Sequence, residues 1–177
     1  GRAAVTDGQR AVYVADASNG KFDDDPAAVY ERWSEFRTWA DDVHLADGFV
    51  VDRGLLRAPS PTPRQVFAVG LNYAEHARES GLDLPTEPAV FTKFATSVTG
   101  ADTVLELPTA TVDFEAEMVA VIGRRAFGVS EECAWDHVAG LTVGQDISER
   151  TRQTVGPAPQ FSLGKSFPGF SPSGPWL

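Results

Sequence analysis

The segment "VDFEAEMVAVIG", Val112 to Gly123, constrains the fold more than any other stretch of this chain. Side chains alternate faces along a strand, so residues two apart project together, about 7 Å from one another. The alternation predicts a strand whose one face, Phe114, Ala116, Met118, Ala120 and Ile122, is uniformly apolar. The other face runs Asp113, Glu115, Glu117, Val119, Val121. Its apolar end is expected to be buried, which puts the acidic end close to the core. An unpaired carboxylate is costly there, so a cation is expected nearby. The alternative is a strand end that emerges into water.

A length of 177 residues suffices for one good-sized core, or for one core plus a small appended domain. With 42% hydrophobic and 23% charged residues, the composition is that of a globular protein rather than a disordered or membrane-embedded one. No apolar run approaches the ~20 residues of a membrane span, and no basic-then-apolar start resembles a signal peptide, so the expected setting is cytoplasmic. Cys133, the single cysteine, has no internal disulfide partner, which agrees with a reducing compartment. The net charge of -10 argues against nucleic acid and anionic membranes as partners, because both select an excess of lysine and arginine. Small molecules and metal cations remain.

The opening "AAVTDGQRAVYV" reads as a β-hairpin around Asp7-Gly8. A helix follows, capped by Asp25 with Pro26 in its first turn; Val29, Trp33, Phe36, Ala40 and Val43 recur at the spacing of one buried stripe. The three prolines of "APSPTPR", Ala58 to Arg64, predict a linker. Beyond it, "QVFAVG" reads as a strand, "NYAEHARESG" as a short helix ending near Gly81, and "AVFTKFATSVTG" as one extended segment. Ser130 is the expected cap of a short helix through Trp135, and "VAGLTVGQDIS" is another strand. The terminal "SPSGPWL" reads as a Pro/Gly-rich run with no closing element. The fold class is α+β and strand-rich, with a small α+β N-terminal domain at residues 1–60 and a larger body at 65–177.

Glu115 and Glu117 together with Asp146, which ends a second strand-like run, make an all-oxygen set of the kind that suits Mg²⁺, Mn²⁺ or Ca²⁺ over zinc. In "EHARE", His76 and Glu79 are three apart and share a helix face, where the carboxylate could fix the tautomer of a basic imidazole. By itself His76 reads as a surface helix histidine, as do His44 and His137. Arg152 reads as solvated charge.

The ordered set "VGLNYAEHARE", "DFEAEMVAVIG", "GQDISERTRQ" and "LGKSFPGFSPSGPW" resembles the fumarylacetoacetate hydrolase family, including its short acylpyruvate hydrolase and isomerase-like members. The resemblance implies a mixed β-sandwich roll with short helices, of which residues 65–177 would be the N-terminal portion. It implies that Glu115, Glu117 and Asp146 hold Mg²⁺ or Mn²⁺, and that His76 and Glu79 form a dyad on a lid. It also implies that Lys165, Arg150 and Gln153 hold developing negative charge. Asp113 is expected to support the site from outside it, and Tyr73 either lines the pocket or packs. Lys93 and Ser97 fall in a segment that reads lysine-proline in the family; Phe94 stands in place of the proline here, and neither residue is assigned a role. The implied reaction is hydrolysis of a carbon-carbon bond in a 2,4-dioxo acid, with Lys165→Ala expected to be severe for turnover without unfolding the chain. Isomerase, hydratase or decarboxylase activity on a 2-oxo acid, or an inactive truncated relative, are the alternatives. Relatives continue beyond "GPW", so a homodimer, or completion by a missing C-terminal segment in a second chain, is expected, with apolar surface and sheet edges exposed in its absence.

Overall fold

The computed structural model describes the chain apart from Ser80, Leu82 and the side chain of His76. The opening hairpin forms as expected: β1 (Ala4–Thr6) and β2 (Arg10–Tyr13) pair antiparallel, and β3 (Phe49–Val50) adds to β2. Between β2 and β3 lie α1 (Val14–Ala17), α2 (Pro26–Glu31) and α3 (Trp33–Ala40). Asp25 caps α2 by accepting the Ala27 N–H at 2.9 Å. The expected single helix is two, because the backbone leaves helical geometry at Arg32 (φ -122°, ψ 34°). Its guanidinium donates to the Lys21 carbonyl at 2.8 Å and lies over the Phe22 ring. The break keeps the stripe working: Val14, Phe22, Val29 and Phe36 form a buried cluster with Trp33, Trp39 and Ala40 packed around it.

The proline-rich stretch contains no regular element, yet it is no free linker. Ala58 is buried, and Tyr30 donates its hydroxyl to the Pro59 carbonyl at 2.9 Å. The body then begins with β4 (Val66–Gly70), α4 (Ala74–Glu79) and β5 (Ala89–Lys93), the two strands pairing antiparallel. The expected extended segment breaks after Lys93. Ser97 donates both its amide and its hydroxyl to the Phe94 carbonyl, which closes a 3₁₀ turn before β6 (Val98–Gly100).

β7 (Val112–Asp113) precedes β8 (Ala116–Ile122), and α5 (Glu131–Ala134) precedes β9 (Val138–Gln145). Ser130 stands at the head of α5, but its side chain makes no capping bond. After β10 (Ser148–Glu149) come α6 (Arg150–Thr154), α7 (Phe161–Gly164) and β11 (Ser171–Ser173). The four-stranded sheet runs β6-β11-β9-β8, and β10 pairs with β7. The terminal run therefore begins with a strand inside the sheet, parallel to β6 and antiparallel to β9, where no closing element was expected.

On β8 the alternation is as read: Glu117, Val119 and Val121 are half-buried. The apolar face is not core. Phe114, Met118 and Ile122 are 69%, 61% and 57% exposed, and Leu141 and Val143 extend that surface across β9. Phe67, Val69 and Val90 of the β4–β5 pair are exposed too, so uncovered apolar surface is a feature of this chain. Among the described residues no helix is long and apolar enough to cross a membrane.

Candidate active site

The antiparallel β8–β9 ladder brings the separated acids together. Ala116 faces Gln145 and Glu117 faces Gly144; one step beyond, the Asp146 N–H donates to the Glu115 carbonyl at 2.9 Å. Glu115 and Asp146 thus leave adjacent backbone on the face that also carries Glu117. Like charges opposed across a ladder repel, and here buried cations offset them.

Lys165, 3% exposed, donates to Glu115 Oε2 at 3.0 Å and to Asp146 Oδ2 at 2.6 Å. Lys93, also buried, donates to Asp146 Oδ1 and, at 2.8 Å, to the Phe170 carbonyl. Arg150 Nη1 donates to Glu115 Oε1 at 2.6 Å and to Gln153 Oε1 at 3.2 Å, while its Nη2 and Nε reach Asp113 Oδ2 at 2.8 and 3.2 Å. Asp113 therefore grips the arginine that contacts Glu115. Burial works to raise the Glu115 pKa, but the Lys165 and Arg150 pairings outweigh it and hold the carboxyl below its usual range. Glu117 is shifted the other way, first by burial and then by the charges of Glu115 and Asp146. Burial also pulls the Lys93 ammonium below its usual pKa, outweighing the support of Asp146.

Short helices position these cations. Phe161 of α7 packs edge-on against Phe91 of β5 at 5.7 Å, and Lys165 follows at the end of α7 with its ammonium 5.1 Å from the Phe91 ring centre. Gly164 lets α7 lie directly on α6, since a Cβ there would sit 2.7 Å from Gln153 N and 2.9 Å from the Glu149 carbonyl. Gly164→Ala is expected to lower stability by about 1–3 kcal/mol, the cost of overpacking, and to displace Lys165 and Gln153 together. A urea melt beside an activity assay checks this. Phe94, in the place of the family's proline, donates its amide to Ser166 Oγ at 2.9 Å, a bond proline could not make.

The Tyr73 hydroxyl, on the approach to α4, works to lower the Glu117 pKa against burial, without reversing the upward shift. Glu79 is exposed on α4. The His76 side chain, and with it the expected dyad, lies outside the described residues. His137 departs from the surface reading: its Nδ1 is enclosed and without a hydrogen-bond partner among the described residues. Lys93 is the residue that sequence reasoning set aside and the structure brings to Asp146. The available signal was its place at the end of a strand in a segment already matched to the family.

The acids also bear on the implied ion. Among the described residues no group of three or more His, Cys, Asp or Glu side chains is gathered into a ready cage for a metal. Glu115 and Asp146 nevertheless face one centre, now spanned by Lys165, and Glu117 is crowded by both. Carboxylate oxygens are the donor chemistry of a hard divalent cation, so in residue type, though not as a gathered set of three, these acids fit such an ion.

The carboxylate-lysine-arginine cluster stands at the ends of two paired strands of an α+β chain, and comparison gives the family. The model of the fumarylacetoacetate hydrolase C-terminal domain matches residues 65–177, and the chain belongs to that family. A mitochondrial oxaloacetate tautomerase of Xenopus laevis is 40% identical over 124 residues, 69% of this chain and 39% of that protein. A crystal structure from Mycobacterium smegmatis superposes with a TM-score of 0.90 at 47% identity, covering 99% of this chain and 62% of that one. The fumarylacetoacetate hydrolase of Exiguobacterium antarcticum gives 0.75 at 29% identity, with coverages of 98% and 61%. The fold is thus the α+β, strand-rich fold of this family. The chain spans 39% of the length of the Xenopus relative. Named relatives include hydrolases, isomerases and tautomerases.

Proposed function

We propose that this site cleaves a carbon-carbon bond in a 2,4-dioxo acid of the acylpyruvate type, or in the related β-diketo acid fumarylacetoacetate. The observation carrying this reading is Lys165 between Glu115 and Asp146, with Arg150 and Gln153 beside them: fixed cations and donors around an anionic centre. Glu115, Glu117 and Asp146 would hold Mg²⁺ or Mn²⁺, with Ca²⁺ also compatible with oxygen donors. When bound, the ion supplies Lewis-acid polarisation of the substrate's carboxylate and 2-oxo oxygens. The His76 and Glu79 dyad that the resemblance implies would take a proton from water, whose oxygen bonds to the distal carbonyl carbon. Arg150, Gln153 and Lys165 stabilise the negative charge that develops there. The adjoining carbon-carbon bond then breaks, releasing a carboxylic acid; its electron pair goes to the pyruvate-type enolate, which takes up a proton to give the 2-oxo acid.

The tautomerase relatives favour a second reading on the same residues, proton transfer between the keto and enol forms of a 2-oxo diacid, which needs the enolate but no attacking water. A panel of acylpyruvates, fumarylacetoacetate and oxaloacetate, assayed with Mg²⁺, separates the two. Release of a 2-oxo acid such as pyruvate from an acylpyruvate, or of acetoacetate from fumarylacetoacetate, with stoichiometric carboxylic acid is expected. Loss of the enol absorbance of oxaloacetate without cleavage of any panel member would replace hydrolysis by tautomerisation.

A further inference from the structure

Glu149 lies outside the chemistry proposed above, yet it is a carboxylate only 3% exposed, joining two separate pieces of chain. Its Oε2 accepts the Arg152 N–H at 2.5 Å and its Oε1 accepts the Thr151 N–H at 3.3 Å, which caps α6. The same Oε1 accepts the hydroxyls of Thr109, at 2.9 Å, and Thr111. The Arg150 N–H completes the junction by donating to the Thr111 carbonyl at 3.0 Å. A helix cap alone is met by the short side chains of Ser, Thr, Asp or Asn. Glutamate adds the reach to bind the loop as well.

We propose that Glu149 is a positioning residue: it latches α6 to the Thr109–Thr111 loop and thereby sets where the Arg150 guanidinium and the Gln153 amide stand relative to Glu115. Both side chains belong to this five-residue helix, which has little cooperativity of its own to resist rotation. Asp113, the other grip on Arg150, is in β7, which follows Thr111 directly and pairs with β10, so one latch aligns both partners of the ion pair. The catalytic consequence rests on the function proposed above; the structural one does not.

The test compares wild type with Glu149→Ala, Glu149→Ser and the double variant Thr109→Val/Thr111→Val. Serine retains a capping oxygen without the reach, and the valines remove the loop hydroxyls while leaving the Glu149 cap in place. Modification of Arg150 by phenylglyoxal, mapped by mass spectrometry, is expected to quicken several-fold in all three. In the serine and valine variants this should happen without a matching fall in melting temperature. For any panel substrate turned over, kcat should fall by about 10- to 100-fold, as for a modest misplacement of a catalytic group, with KM little changed. Wild-type reactivity of Arg150 in the serine and double-valine variants overturns the proposal. So does a loss of kcat that only tracks melting temperature. Should the alanine variant fail to fold, these two variants decide. If wild type turns over no panel member, the functional reading fails and the phenylglyoxal arm still decides the latch.

Discussion

Lys165→Ala is expected to lower kcat by about 10²- to 10³-fold on the panel substrate, the usual effect of removing one donor from a developing oxyanion. It should also cost stability, short of unfolding the chain. The ammonium is buried and neutralises both Glu115 and Asp146; deleting it leaves two carboxylates facing each other with one cation fewer. Breaking a buried pair from one side costs about 3–5 kcal/mol. The proposed divalent ion would bind the native site and oppose that loss by mass action, so melting temperature should recover in part as MgCl₂ is raised while kcat does not. Lys165→Arg should rescue poorly, because a planar fork cannot occupy the place of a compact ammonium between the two acids. Thermal melts with and without Mg²⁺, run beside initial rates, check all three. Unchanged turnover in purified Lys165→Ala would remove this residue from the chemistry.

Asp146→Asn should have the other large effect. Asp146 is buried, with one carboxylate oxygen on each of two buried lysines. The neutral amide leaves Lys165 with Glu115 and leaves Lys93 with the Phe170 carbonyl. A destabilisation of about 3–5 kcal/mol is expected from the uncompensated ammonium, together with a loss of divalent-ion affinity exceeding the 10- to 100-fold that removal of an outer partner costs. Calorimetric titration with Mn²⁺ and a urea melt measure the two separately. Retained Mn²⁺ affinity in Asp146→Asn would mean that this carboxylate holds the lysines in place and binds no ion.

Periodicity made β8 legible as a strand, and the antiparallel ladder to β9 explains why Glu115 and Asp146, far apart in sequence, meet. The alternation correctly assigned side chains to faces. It could not say which face is covered, because cover depends on other segments, and the face carrying Met118 and Val143 is exposed. Likewise, a continuous helical stripe from Val29 to Val43 carries no sign that Arg32 leaves the helix or that α3 stops at Ala40; the guanidinium contacts at the break come from Lys21 and Phe22, outside the stripe. The resemblance implies lysine-proline in this segment and Phe94 stands in the proline's place, so the sequence assigns Lys93 no role. The strand backbone nevertheless carries Lys93 to Asp146, and the Phe94 amide finds Ser166. The strand character of Ser171–Ser173 was hidden by Pro172, which lacks a donor; the pairing with both β6 and β9 became visible only once those strands were in place.

The most direct measurement is the position of the anomalous-scattering peak in crystals of the protein grown with Mn²⁺ and oxalate, a planar mimic of the pyruvate enolate. A single peak is expected within about 2.0–2.2 Å of oxygens from Glu115, Glu117 and Asp146, with oxalate on the open side. Mn²⁺ bound elsewhere, with Glu115 and Asp146 still paired to Lys93, Lys165 and Arg150, would contradict the account.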